Sequence, residues 1–137
     1  MSEKILIKNI IKPFNKTIEI EGDKSLSIRW ALLASQAIGK STSTNLLKSQ
    51  DVLNTIDCLR KLGVKIILNK EKCEIFGLGI NGFNYKKNIT LNAGNSGTLA
   101  RLIMGLLAHS KSKIKIIGDN SLSKRDFLRV SKPLEKF

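Results

Sequence analysis

Apolar residues recur at helical spacing in three stretches of the chain and at strand spacing between them. Residues 50–62 place Val52, Ile56, Leu59 and Leu62 on one face, with Ser49 or Asp51 suited to the N-cap and Gly63 to the position after the last turn. Residues 25–39 carry Leu26, Trp30, Leu33 and Ala37 at the same period, widened by Ala31, Ala34 and Ile38 and closed by Gly39. Residues 96–110 repeat the logic with Leu99, Leu102, Ile103, Leu106 and Leu107, predicting a helix that starts at Ser96 or Thr98. Short Ile- and Thr-rich runs at 16–21, 41–45, 64–68, 73–77, 88–92 and 113–117 predict half-buried strands.

This order nearly repeats itself. Laying "EGDKS" over "NAGNS" gives an offset of about 71 residues with agreement of strands and helices on both sides. The expected architecture is α/β, built from βαβαββ units, one complete and a second truncated. Its last helix stops at "VSKPLEKF", so the chain reads as part of a larger protein.

The 137 residues suffice for one packed domain, and the 42% apolar content is that of a globular chain. No run reaches the roughly 18 apolar residues of a membrane span, and "MSEKILIKNI" lacks a secretory pattern, so a cytoplasmic location is expected. The net charge of +13 invites a small basic nucleic-acid-binding protein as one reading. Against it, the lysines are spread along the whole chain, and aromatic residues, at 5%, are too few for base stacking. A field that steers small anions fits the charge better. Cys58 and Cys73 fit neither a disulfide framework nor a zinc site and are expected as buried thiols. His109 falls at a solvated helix end.

Four stretches carry candidate chemistry. "ASQAIGKS" fits a loose phosphate-loop pattern, but its apolar period puts a helix before the Gly and a strand after the Lys, the reverse of what such a loop requires. "GDKSLSIR" at 22–29 stands between a predicted strand and a helix, so amides near Lys24–Ser27 are expected to face an anion, with Lys24 as a point charge and Arg29 as a fork. "NAGNSGT" at 92–98 offers Gly94 and Gly97 for close backbone approach, with Asn95, Ser96, Thr98 and Arg101 beside them. "GDNSLSKR" at 118–125 brings Lys124 and Arg125 to a third such position. Three loops at one end of parallel strands predict a single basic cleft.

Taken in this order and spacing, "GDKSLSIRWALLAS", "TNLLKSQDV", "NAGNSGTLAR" and "GDNSLSKRDFLRVSKPL" resemble the amino-terminal part of the EPSP synthase (3-phosphoshikimate 1-carboxyvinyltransferase) family of enolpyruvyl transferases. The resemblance implies two domains of three βαβαββ units each. It assigns residues 1–21 to amino-terminal strands of the other domain, and 22–137 to a partial repeat domain. It implies transfer of the enolpyruvyl group of phosphoenolpyruvate to the 5-hydroxyl of shikimate 3-phosphate, in aromatic amino-acid biosynthesis, with no cofactor or metal and no nucleic-acid or membrane partner. By position, Lys24, Ser25 and Arg29 match residues that hold shikimate 3-phosphate. Lys24, Gly97 and Arg125 match contacts to phosphoenolpyruvate, while Asp51, Asn95 and Arg101 match supporting positions. The family's proton-transfer carboxylates match nothing in this chain, so Lys24 is the one substrate-contacting residue placed in the catalytic set. Isolated, the chain is expected to turn over nothing, and a complementary chain is one possible source of the rest. An enolpyruvyl transferase of the same fold acting on UDP-N-acetylglucosamine is the nearest alternative. Two departures from the family pattern stand out: Glu21 and Asp126 occupy positions usually held by Pro, and Asp126 is expected either to lower affinity for phosphoenolpyruvate or to pair with Arg125 or Lys124.

Overall fold

Asp23 starts the first helix. Its carboxylate accepts from the Leu26 amide at 2.7 Å, satisfying a donor that the first turn of any helix leaves unpaired. Helix α1 then spans Lys24–Gln36 and is followed by strand β1, Ile38–Thr44. Helix α2 (Gln50–Lys61) has Ser49 as its N-cap residue and ends at Leu62, with Gly63 at φ +91° just beyond. Strands β2 (Lys65–Leu68) and β3 (Lys72–Leu78) follow, then β4 (Thr90–Asn92), α3 (Gly97–Leu106), β5 (Lys115–Ile117), and helices α4 (Asn120–Ser123) and α5 (Leu128–Leu134). The computed structural model describes residues 6, 8, 10 and 12–136.

The strands form two sheets among the described residues. One is antiparallel in the order β1-β3-β2, and the other pairs β4 with β5 in parallel. The core is made where helices meet these sheets. Ile28, Ala31 and Leu32 of α1, Val52, Ile56 and Leu59 of α2, and Leu99 and Ile103 of α3 pack with Cys73, Ile75 and Leu91, all nearly inaccessible to water. Burying a side chain of this size removes apolar surface worth roughly 1.5–3 kcal/mol. Cys58 and Cys73 are free and buried, as expected, and burial pushes the Cys58 thiol up to about 11.

Four expectations need correction. First, the run 16–21 joins no sheet: residues 12–23 carry neither helix nor strand, and Ile18 and Ile20 are about three-quarters exposed. The run has the alternation of a strand, but among the described residues no strand pairs with it. The rest of the expected amino-terminal strands, residues 1–5, 7, 9 and 11, lie outside the described residues.

Second, α1 ends earlier than its apolar period implies. Residues 38 and 39 belong to β1, in register with Leu78 and Gly77 of β3, and the Gly79 amide donates to the Ala37 carbonyl at 3.0 Å. Strand pairing captures these residues before the helix can. Third, the buried face of α1 is not the one counted from Leu26: Leu26 and Leu33 are about two-thirds exposed, whereas Ser27 and Ser35 are buried. Both serines are satisfied there. Ser35 donates to the Leu32 carbonyl at 2.6 Å, and Ser27 accepts from the Leu47 amide at 3.1 Å. Fourth, among the described residues only β4 and β5 are paired in parallel, so two of the three candidate loops, not three, follow neighbouring parallel strands.

Candidate functional site

The twin octets adopt one local structure. Asp119 caps α4 as Asp23 caps α1: each carboxylate accepts from an amide three residues on, at 2.7 Å, and each carbonyl accepts from the serine amide four residues on, at 2.9 Å. Their shared Gly-Asp-x-Ser-Leu-Ser is therefore the sequence of a helix start. Downstream of it they diverge. Leu122 is buried where Leu26 is exposed, and Arg29 lies inside α1 whereas Arg125 lies past the end of α4.

The capping geometry alters the expected anion mouth at α1. Of the amides expected to face a ligand, those of Leu26 and Ser27 are taken by Asp23. What remains at that end is the amides of Lys24 and Ser25 together with side-chain charge. The Lys24 ammonium, half exposed, lies 3.3 Å from Oδ2 of the more covered Asp51. Such a pair stabilises by only about 0.2–1 kcal/mol. It therefore aims the lysine without committing it, since a hydrogen bond from an ammonium to a phosphate is worth roughly 1.5–3 kcal/mol. Arg29 donates one N–H to the Ser25 carbonyl at 3.1 Å, which folds its guanidinium back along the first turn towards Lys24 and Ser25.

The second group is built on the turn between β4 and α3. Ser96 caps α3 through the Leu99 amide at 3.3 Å, so Gly97 is the first helical residue. Two guanidinium groups lie over it. A Cβ on Gly97 would sit 2.7 Å from Arg125 Nη1 and 3.0 Å from Arg101 Nη1, so the missing side chain is what lets both cations close over the helix start. Arg125 Nη2 donates to Asn95 Oδ1 at 2.9 Å, and Asn95 Nδ2 donates to Asp119 Oδ2 at 2.6 Å. Arg101 donates to the Asp126 carbonyl at 3.2 Å and stacks its guanidinium 5.2 Å from the Phe127 ring centre. Two like charges held side by side over a backbone with no Cβ make a place for an anion.

Helix α2 brings the two groups to one region. Its first turns carry Asp51, which pairs with Lys24, and Asn54, whose amide fills the space a Cβ on Gly94 would take. Gly94 itself has φ +57°, a conformation glycine adopts freely. No hydrogen bond or ion pair among the described residues joins Lys24 or Arg29 directly to Arg101 or Arg125. Asp126 pairs with neither Arg125 nor Lys124 there: its carboxylate accepts from the Leu128 amide at 2.7 Å in the turn before α5, so the aspartate at this position draws neither cation away. Glu21 makes no contact that explains its departure from the family pattern. Gly39, Lys40 and Ser41 lie in β1, with Lys40 3.1 Å from Glu74, which removes the phosphate-loop reading of that stretch.

The sequence pattern of the EPSP synthase (3-phosphoshikimate 1-carboxyvinyltransferase) family matches residues 8–137. The chain belongs to the EPSP synthase family. It is 46% identical over 124 residues to a 3-phosphoshikimate 1-carboxyvinyltransferase of Streptococcus pyogenes serotype M1 and 43% identical over 125 residues to one of Bacillus cytotoxicus. These matches cover 90% and 91% of the chain but only 29% of each relative. An EPSP synthase structure from Acinetobacter baumannii superposes with a TM-score of 0.81 at 37% identity, over 87% of this chain and 27% of that one. The α/β architecture expected from the repeat is thus that of the EPSP synthase fold. Among the described residues of this family member no helix is long and apolar enough to cross a membrane.

One residue of the second group was passed over in the sequence. The signal for Asp119 in the sequence is the repeated Gly-Asp pair that opens both octets, and its link to Arg125 through Asn95 spans 24 and 30 residues.

Proposed function

We propose that this chain supplies the first part of an enzyme that transfers an enolpyruvyl group from phosphoenolpyruvate to the 5-hydroxyl of shikimate 3-phosphate, releasing phosphate. The observation that carries the proposal is the pair of guanidinium groups closed over Gly97. On this reading Arg125 and the backbone at Gly97 hold phosphoenolpyruvate, with Lys24 reaching it from α1. Lys24, Ser25 and Arg29 hold the phosphate of shikimate 3-phosphate, while Asp51, Asn95 and Arg101 fix these groups in place. Residues 1–21 contribute strands to a second domain, and the enzyme works in the cytoplasm on small-molecule substrates.

The chemistry fits a cationic surface of this kind. Phosphoenolpyruvate is protonated at C3, the 5-hydroxyl adds at C2 with loss of its proton, and the tetrahedral intermediate then loses phosphate and a C3 proton to restore the enol ether. The negative charge of both substrates stays on their phosphate and carboxylate groups throughout, where fixed cations hold it without rearranging. Proton transfer by a positioned acid or base typically contributes about 10² to 10⁴ in rate. The chain spans 29% of its curated relatives, and on this reading those proton-transfer carboxylates come from sequence beyond it or from a complementary chain.

Titrating the labelled chain with each substrate tests the assignment. Shikimate 3-phosphate should shift resonances of residues 24–29, and phosphoenolpyruvate those of residues 95–101 and Arg125. Neither shift pattern should survive in Lys24→Ala and Arg125→Ala respectively, and no phosphate should be released when both substrates are present. Shifts scattered over the lysines of the whole surface, or steeply salt-dependent DNA binding indifferent to Lys24 and Arg125, would replace this reading with the basic-protein one.

A further inference from the structure

We propose that Asp119 is a positioning residue for the Arg125 guanidinium, acting through Asn95. The inference rests on the reading of Arg125 as a phosphoenolpyruvate contact and adds to it the group that decides how Arg125 is presented.

An asparagine amide has an accepting end and a donating end of nearly equal size, so its neighbours choose its orientation. A guanidinium only donates and an ionised carboxylate only accepts. Asn95 lies between one of each: Arg125 Nη2 at 2.9 Å from its oxygen and Asp119 Oδ2 at 2.6 Å from its nitrogen. With Asp119 ionised, one orientation alone satisfies all three groups. That orientation turns the amide oxygen towards Arg125.

Asp119 is itself anchored at three points. Its other carboxylate oxygen accepts from the Leu122 amide at 2.7 Å, its own amide donates to the Gly94 carbonyl at 2.9 Å, and its carbonyl accepts from the Ser123 amide at 2.9 Å. The Leu122 amide, and after it the Asn95 amide, hold the carboxyl below the usual aspartate range, which keeps it an acceptor at neutral pH. Arg125 is tied to the same short helix, its amide donating to the Leu122 carbonyl at 3.0 Å. The chain of contacts thus runs from the start of α4, across the β4-α3 turn, and back to the guanidinium over Gly97.

Exchanging the polar groups separates this role from capping. Asp119→Asn keeps an oxygen for the Leu122 amide, because asparagine caps as well as aspartate does. Its second arm becomes a donor facing the donor of Asn95, so Asn95 turns over and presents its NH₂ to Arg125. The paired exchange, Asn95→Asp with Asp119→Asn, restores donor to acceptor at both contacts with the local charge unchanged. Asn95→Ala removes the middle group and leaves the cap untouched.

The test follows the Arg125 side-chain nitrogens by NMR, with Leu122 amide protection as the folding control and phosphoenolpyruvate affinity as the functional readout. Restricted guanidinium rotation is expected in the wild-type chain and in the paired exchange. Asp119→Asn and Asn95→Ala should rotate freely and bind phosphoenolpyruvate roughly three- to tenfold more weakly, with affinity recovering in the paired exchange. An Arg125 that stays ordered in both single variants, or is freed without loss of affinity, overturns the proposal. If the wild-type chain binds no phosphoenolpyruvate, the substrate assignment of Arg125 fails, and the Asp119 role is decided by guanidinium order alone.

Discussion

Gly97 occupies a position where fold and site make opposite demands. As the first residue of α3 it loses more conformational freedom on folding than alanine would. As the floor beneath Arg101 and Arg125 it cannot carry a Cβ without moving one of them, since that atom would lie 2.7 and 3.0 Å from their nitrogens. Both obstructing atoms are the far ends of flexible side chains, so they give way before the backbone does. Gly97→Ala should therefore leave the melting temperature unchanged or slightly raised while abolishing the phosphoenolpyruvate-induced shifts at Arg125. A large loss of stability in that variant would mean that the glycine serves packing and not the guanidinium pair.

The helices differ in how their starts are held, and this separates variants that look alike in sequence. Asp23 and Ser96 cap through their side chains, whereas Ser49 occupies the N-cap of α2 with no side-chain cap hydrogen bond. In urea unfolding, Asp23→Ala and Ser96→Ala should each cost about 1 kcal/mol, and Ser49→Ala should cost much less. Equal losses at all three would contradict the observed caps. The same elements show what could be read beforehand. Helix α2 was legible almost to the residue because Val52, Ile56, Leu59 and Leu62 are apolar on one side only. Helix α1 was legible as a helix but not in its orientation, because both sides are apolar and the true core face, with Ile28, Ala31 and Leu32, also carries two buried serines. The end of α1 and the pairing of β1 with β3 depend on residues 28 to 40 positions apart along the chain, which local periodicity does not contain. Likewise the cations of the site were visible as letters, but their convergence over Gly97 arises only when the α4 region folds back across the β4-α3 turn.

At the scale of the whole molecule, the chain folds a core shared by three helices and two small sheets while leaving apolar surface uncovered. Met104, Leu107, Ile116, Phe127 and Leu134 line a groove between α3, β5 and α5 that includes neither Lys24 nor Arg125. Phe14, Ile18 and Ile20 stand exposed on the segment before α1. The net charge of +13 opposes contact between copies of such a surface. That repulsion reaches about 10 Å at 0.1 M salt but only about 3 Å at 1 M, so the unpaired segment has a consequence for the chain in solution. Light scattering should show self-association growing as salt is added, the reverse of nucleic-acid binding, and Ile18→Lys with Ile20→Lys should suppress it. Association that weakened with salt would place its origin in charge pairing instead. Where association grows with salt, the stretch that joins no sheet sets the protein's colloidal behaviour, making ionic strength the variable that decides whether one copy meets another.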